Sequence, residues 1–190
     1  MKFLKQAVAG FSMIEVLVTT TIVGLLSAIT VPSWFQFINI LRLNEAQDRV
    51  FAVMRDAQAN AKREYATWQV CFRDDGTQVW VAEQLVSSST TNCSNSGINW
   101  QPVVGSDSKF VTINTTSTNL SSQTTSSVVY YELQYTSKGW IDTGVNTPFQ
   151  IQKITLSMRN QTKSSQRCIF VETSLGALRT DNDANCQNSQ

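Results

Sequence analysis

The side chain that says most about chemistry is Glu15. Residues 11–31 are otherwise apolar, small or hydroxyl-bearing, and Glu15 is the one ionisable group among them. A helix of about 21 residues, rising ~1.5 Å each, crosses the ~30 Å hydrocarbon core of a bilayer. A carboxylate in such a segment costs on the order of 2.5–3.5 kcal/mol at mid-membrane and less near an end, so it calls for a partner. One arises if the chain is cut between Gly10 and Phe11. The new α-amine of Phe11 would be a cation four residues from Glu15, one helical turn away. Between neighbouring chains the same two groups make an intermolecular ion pair in a dry environment. The residues before the cut include Lys2 and Lys5 and no acid. Because the small Gly10 precedes the apolar run, cleavage there leaves the helix attached.

The remaining candidates are cysteines and charges. Cys71, Cys93, Cys168 and Cys186 stand in a chain with no histidine and no Cys-x-x-Cys pair, which argues against zinc. Four cysteines allow three pairings; sequence order, Cys71 with Cys93 and Cys168 with Cys186, is the simplest. Each bridge should contribute roughly 2–4 kcal/mol. Asp181-Asn182-Asp183-Ala184-Asn185 opens like a calcium loop, but Cys186 stands where glycine is needed and no bidentate Glu follows. No metal or cofactor is expected. Lys153, Arg159, Lys163, Arg167 and Arg179 face only Glu172 before Asp181. Arg159, Lys163, Arg167 and Arg179 could hold DNA phosphates, with Trp or Tyr stacking on bases. The same residues could equally guard a sheet edge.

Composition bounds the rest. Losing Lys2 and Lys5 takes the basic side chains from 15 to 13 against 14 acidic, so the side-chain total moves from +1 to −1. This is not the overall balance of a nucleic-acid binder. No nucleophile elbow, phosphate-binding glycine loop or paired carboxylate site is present, and an enzyme is not expected. Lysines before the span keep the leader cytoplasmic and send the chain after Pro32 across the membrane. The compartment beyond is oxidising, in keeping with disulfides.

The elements that position these residues follow from periodicity. Proline at 32 kinks a membrane-anchored helix more often than it ends one. Phe37, Ile38, Leu41, Val50, Met54, Ala57 and Ala61 recur at helical spacing, with Arg42, Asn44, Glu45, Gln47, Asp48, Arg49, Arg55 and Asp56 between them. The pattern predicts an amphipathic helix to about residues 63–65, its apolar stripe on a sheet and its polar face solvated. Residues 68–73 alternate, Asp74-Asp75-Gly76 marks a hairpin, and Val79-Trp80-Val81 returns. Residues 110–113, 128–135, 151–158, 167–172 and 177–180 read as further strands. Residues 87–96 read as a polar loop, and the Ser/Thr/Asn/Gln-rich residues 115–127 as a mobile one. The expected class is α+β, a long N-terminal helix packed on antiparallel sheet.

Gly10-Phe11-Ser12-Met13-Ile14-Glu15 resembles the prepilin-peptidase site of type IV pilins and type II secretion pseudopilins, with Pro32 where these helices commonly kink. The resemblance covers the first third of the chain. It implies a pilin-like fold, cleavage after Gly10, N-methylation of Phe11, and Glu15 meeting a neighbour's N-terminus during assembly. Residues 167–179, with the Gly176 turn, resemble the end of the GspH/FimT group of minor pilins, and residues 135–140 that group's aromatic-turn-glycine element. Ala177 departs from the group, many of whose members carry a basic residue there. The implied plan is a leader at 1–10, a membrane and filament-core helix at 11–32, its amphipathic continuation at 33–65 and a periplasmic or extracellular β-rich domain at 66–190. The implied partners are the membrane, prepilin peptidase, the inner-membrane assembly platform and other pilins or pseudopilins. The implied function is a minor pilin-like subunit of a type IV pilus, at or near its tip, with a role in assembly or DNA uptake; the alternative is a pseudopilin of a type II secretion system.

Overall fold

The structure is a computed structural model that describes residues 10–87, 92–105, 108–143, 148–159 and 165–187. It comprises two compact units, Met1–Ile38 and Asn39–Gln190. One helix, α1 (Met13–Glu64), contributes to both.

In the first unit α1 begins where Ser12 accepts hydrogen bonds from the Glu15 amide, 3.1 Å to its carbonyl and 3.3 Å to its Oγ. Serine three residues ahead of glutamate is the sequence form of a capping box, which satisfies donors at a helix start. Residues 10–30 are exposed throughout. An 18-residue window of α1 has mean hydropathy 2.0 with none of it buried, so the helix is long and apolar enough to cross a membrane. Its hydroxyls turn inward: Thr20 donates to the Val16 carbonyl at 2.9 Å, Thr21 to Leu17 at 2.8 Å and Ser27 to Val23 at 2.7 Å. Bonding carbonyls one turn back removes the hydroxyl donors from the helix surface, which suits it to surroundings without water.

In the second unit, residues 39–64 of α1 bury Leu43, Ala46, Val50, Val53, Met54, Ala57 and Ala61 in one core. This stripe starts at Leu43; Leu41, assigned to it from periodicity, is 45% exposed. Two antiparallel sheets supply the rest. The first has the order β3 (Gln101–Pro102), β2 (Val79–Leu85), β1 (Trp68–Asp74), β6 (Val128–Tyr135), β5 (Ser121–Thr125). The second has the order β4 (Val111–Ile113), β7 (Gln152–Met158), β8 (Gln166–Val171), β9 (Leu178–Asn182). Val70, Phe72, Leu133 and Tyr135 from one sheet and Ile154, Leu156, Ile169 and Val171 from the other meet the α1 stripe. The class is α+β, a long N-terminal helix on antiparallel sheets.

Two local expectations need correction. Residues 115–127 are not simply a loop. Residues 121–125 form β5, and Ser126 and Ser127 turn the chain into β6 with φ of 52° and 67°. Both serines sit in the left-handed region that a two-residue hairpin turn requires, a place more often filled by Asn-Gly. Residues 114–119 are stitched to β7: the Asn114 amide donates to Thr155 at 2.8 Å, the Asn119 amide to Lys153 at 3.0 Å, and the Thr155 amide to Thr118 Oγ1 at 3.0 Å. Nor is the polar face of α1 wholly solvated. Gln47 is buried, and its Nε2 donates to the carbonyls of Cys168 at 2.9 Å and Asp181 at 3.0 Å. Strand β7 is buried on both faces, because its outward Thr155 bonds the Ser117 carbonyl at 3.0 Å and Lys153 lies beneath the C-terminal segment.

Candidate functional site

The N-terminal constellation is compact in sequence and open in structure. Gly10 and Phe11 precede the helix, Phe11 is 81% exposed, and Glu15 lies in the first helical turn. A cut after Gly10 would meet exposed, non-helical chain. It would leave the new amine just outside the helix start, where Glu15 also complements the positive end of the helix dipole. Residue 32 lies inside α1, so the helix continues through the proline.

The cysteines form two disulfides, Cys71–Cys93 and Cys168–Cys186, with Cα–Cα distances of 5.5 and 5.6 Å. The first ties β1 to the loop after β2. The second fastens the segment after β9 to β8, forming with Phe170 and Ile151 a small second core on the outer face of that sheet. Lys153 reaches into it, its Nζ donating to the Cys186 carbonyl at 2.6 Å. Burial holds the Lys153 ammonium pKa below its ordinary value.

Of the basic residues expected to contact DNA, Arg159, Arg167 and Arg179 are each engaged by partners within the fold. Arg159 is mostly buried; its Nη2 pairs with Asp74 Oδ1 at 2.8 Å and donates to the Val111 carbonyl at 2.9 Å. Arg167, 8% exposed, donates through Nε to Asn44 Oδ1 at 2.7 Å and through Nη1 to the Gln166 carbonyl at 2.8 Å. Arg179 is half-exposed but pairs with Glu172 and, at 2.6 Å, with Asp181, and its guanidinium lies 4.4 Å from the Phe170 ring centre. Lys163 lies outside the described residues. These cations are already matched by carboxylates and carbonyls, so phosphates would have to displace internal partners.

The calcium-like run is spent in the same way. Asp181 Oδ1 accepts from Asn185 Nδ2 at 2.8 Å and from the Asn182 amide at 2.9 Å, while Asp183 Oδ1 accepts from the Gln166 amide at 2.9 Å. Among the described residues no group of three or more His, Cys, Asp or Glu side chains is arranged to hold a metal.

No protein-family model matches the chain, and no curated protein matches it. Among solved structures the chain is similar to the type IV minor pilin FimU of Pseudomonas aeruginosa, at 14% identity and a TM-score of 0.46, over 79% of this chain and 98% of that one.

Sequence reasoning missed the helix amides that pin the sheets. Besides Gln47, Gln58 Nε2 donates to the carbonyls of Gly139 and Leu175, both at 2.9 Å. Gly176 has φ of +79°, and a Cβ there would stand 2.5 Å from Gln58 Nε2. The glycine is therefore required twice, for its backbone angle and for the close approach of the helix amide. Asn44, Gln47 and Gln58 are separated by 3 and 11 residues, close to whole helical turns. That spacing was the available signal.

Proposed function

We propose that this chain is a minor pilin-like structural subunit, inserted in the cytoplasmic membrane by residues 11–32 and then assembled into a type IV pilus. Residues 1–10 are its leader, 33–65 the helix continuation that carries the domain, and 66–190 the periplasmic and later filament-exposed domain. Prepilin peptidase cuts after Gly10 and the new Phe11 amine is methylated. Glu15 then meets the Phe11 amine of a neighbouring copy or another pilin on the assembly platform. Pro32 lets the helix bend as it leaves lipid for the filament.

The observation that carries this reading is the N-terminal unit. An exposed apolar helix with its hydroxyls turned onto its own carbonyls keeps one carboxylate in its first turn, directly after an exposed cleavage sequence. A simple anchor needs the apolar surface but gains nothing from Glu15. In a filament core the apolar helices replace lipid around one another, and a carboxylate paired with an amine gives register. DNA uptake is not part of the proposal, because Arg159 and Arg167 are engaged internally.

The test is intact mass with N-terminal peptide mapping of the protein from its native membrane and filament fractions. The expected chain begins at methylated Phe11 in both. Glu15→Ala should be processed and inserted but depleted from filaments. A chain still beginning at Met1 in cells with active prepilin peptidase, or normal incorporation of Glu15→Ala, would sink the proposal. Recovery only with a secretin-dependent pseudopilus would move it to a type II secretion system.

A further inference from the structure

Among the described residues each of the two sheets ends in two edge strands, and three of these four are protected. At β3 the strand is two residues long and contains Pro102, so it offers little ladder. At β4 the strand is three residues long, the Ile113 amide donates to Asp74 Oδ2 at 3.3 Å and the Val111 carbonyl accepts from Arg159. At β9, Arg179 and Asp181 place opposite charges along the strand and Gln47 occupies the Asp181 carbonyl. The fourth edge, β5, has none of these devices. Ser121-Ser122-Gln123-Thr124-Thr125 carries no charge and no proline, every residue is exposed, and among the described residues it pairs with β6 on one side only.

The geometry of that edge follows from its turn. With a two-residue turn at Ser126-Ser127, Thr125 and Val128 are the closing pair, and in a two-residue hairpin that pair exchanges hydrogen bonds. Alternation then directs the backbone groups of Ser121, Gln123 and Thr125 toward β6, and those of Ser122 and Thr124 outward. The outward row is two amides and two carbonyls, the unit an antiparallel strand can complete.

The sequence of the edge selects the occupant. Read from either end, β5 runs hydroxyl, hydroxyl, amide, hydroxyl, hydroxyl. We propose that β5 is a docking edge for a second copy of this chain, paired antiparallel about a two-fold axis at Gln123. Ser122 of one copy then exchanges hydrogen bonds with Thr124 of the other, Ser121 stands opposite Thr125, and Gln123 faces its own copy as a non-hydrogen-bonded pair. An uncharged strand brings no like-charge repulsion to such a self-pair. The proposal needs only the second unit and does not rest on the filament reading.

The test is site-specific cross-linking of the full chain in detergent micelles and in native membranes. Directly opposed non-hydrogen-bonded residues lie with Cα atoms roughly 4.5 Å apart, within disulfide range, and the native cysteines among the described residues are already oxidised. Gln123→Cys under mild oxidation should therefore give a disulfide-linked species of twice the chain mass. The equally exposed Thr115→Cys, off the strand, should remain a monomeric thiol. Adding Thr124→Pro to Gln123→Cys should abolish the dimer while circular dichroism stays unchanged, because it removes an outward amide from each edge without touching the bonds to β6. Failure of Gln123→Cys to link in a folded chain would overturn the proposal, as would a dimer that survives Thr124→Pro. A product with a chain of different mass would overturn it in favour of a heterologous strand. None of these readings depends on processing at Gly10, so the filament reading can fail while this one stands.

Discussion

The two parts of α1 send their polar side chains in opposite directions. In residues 13–30, threonine and serine hydroxyls bond carbonyls of their own helix and the apolar side chains are left exposed. Further along, the apolar stripe from Leu43 to Ala61 is buried, and the amides of Gln47 and Gln58 bond carbonyls of the sheets and turns more than 80 residues away in sequence. One helix can thus serve two environments by choosing where its hydrogen bonds end. Hydroxyls that close on their own turn make the helix surface apolar, while long amides convert it into a clamp. Residue type reveals which part is which: Ser and Thr are short enough to reach back, and Gln is long enough to reach out.

That contrast can be broken by substitutions of matched size, with unfolding of the second unit followed by near-ultraviolet circular dichroism. Met54 is fully buried and Leu25 is 67% exposed. Met54→Ala should cost about 2–5 kcal/mol of stability, whereas Leu25→Ala should leave the second unit unchanged; equal losses would erase the distinction. Gln47→Ala leaves the Cys168 and Asp181 carbonyls short of a buried donor and should cost roughly 1–3 kcal/mol.

A smaller effect concerns Glu83, held above the ordinary carboxyl value of 4.5 by burial and then by Asp56 of α1. A carboxyl whose folded pKa is raised carries no penalty below its unfolded value and destabilises the fold as pH rises beyond it. Glu83→Gln should therefore stabilise the protein at pH 7, by less than about 1 kcal/mol after solvent screening. The gain should vanish near pH 4, and a gain that persisted there would exclude the electrostatic cause. The smallest effect is expected at Thr21→Val, which removes only a bond to the Leu17 carbonyl of its own helix and should stay within about 0.5 kcal/mol.

The features legible in the sequence were those written in local pattern. The end of α1, the hairpin at Asp74-Asp75-Gly76 and the strands around Ile154 and Ile169 follow from periodicity and turn chemistry within a few residues. Strand β5 was illegible because its own residues bury nothing; β6 supplies its order, and two serines do the work usual for Asn-Gly. The fate of Arg159 was hidden for a related reason. Its partner Asp74 lies 85 residues earlier, and a run of like charges in sequence carries no record of which carboxylates the fold brings to meet it. Gly10, Phe11 and Glu15 are the reverse case, a constellation readable from spacing alone whose proposed chemistry would begin only when the bond after Gly10 is broken.

The two disulfides also bear on how the protein is made. Their rings span 22 and 18 residues and enclose separate stretches of chain, neither nested nor crossed. As the polypeptide emerges from its N-terminal end, Cys71 and Cys93 are both present long before Cys168 has been synthesised. Under oxidising conditions Cys71 and Cys93 can therefore pair before Cys168 follows them. Such a chain can mature with an oxidant alone, since correct pairing follows the order of emergence and leaves no scrambled bridge for an isomerase to undo.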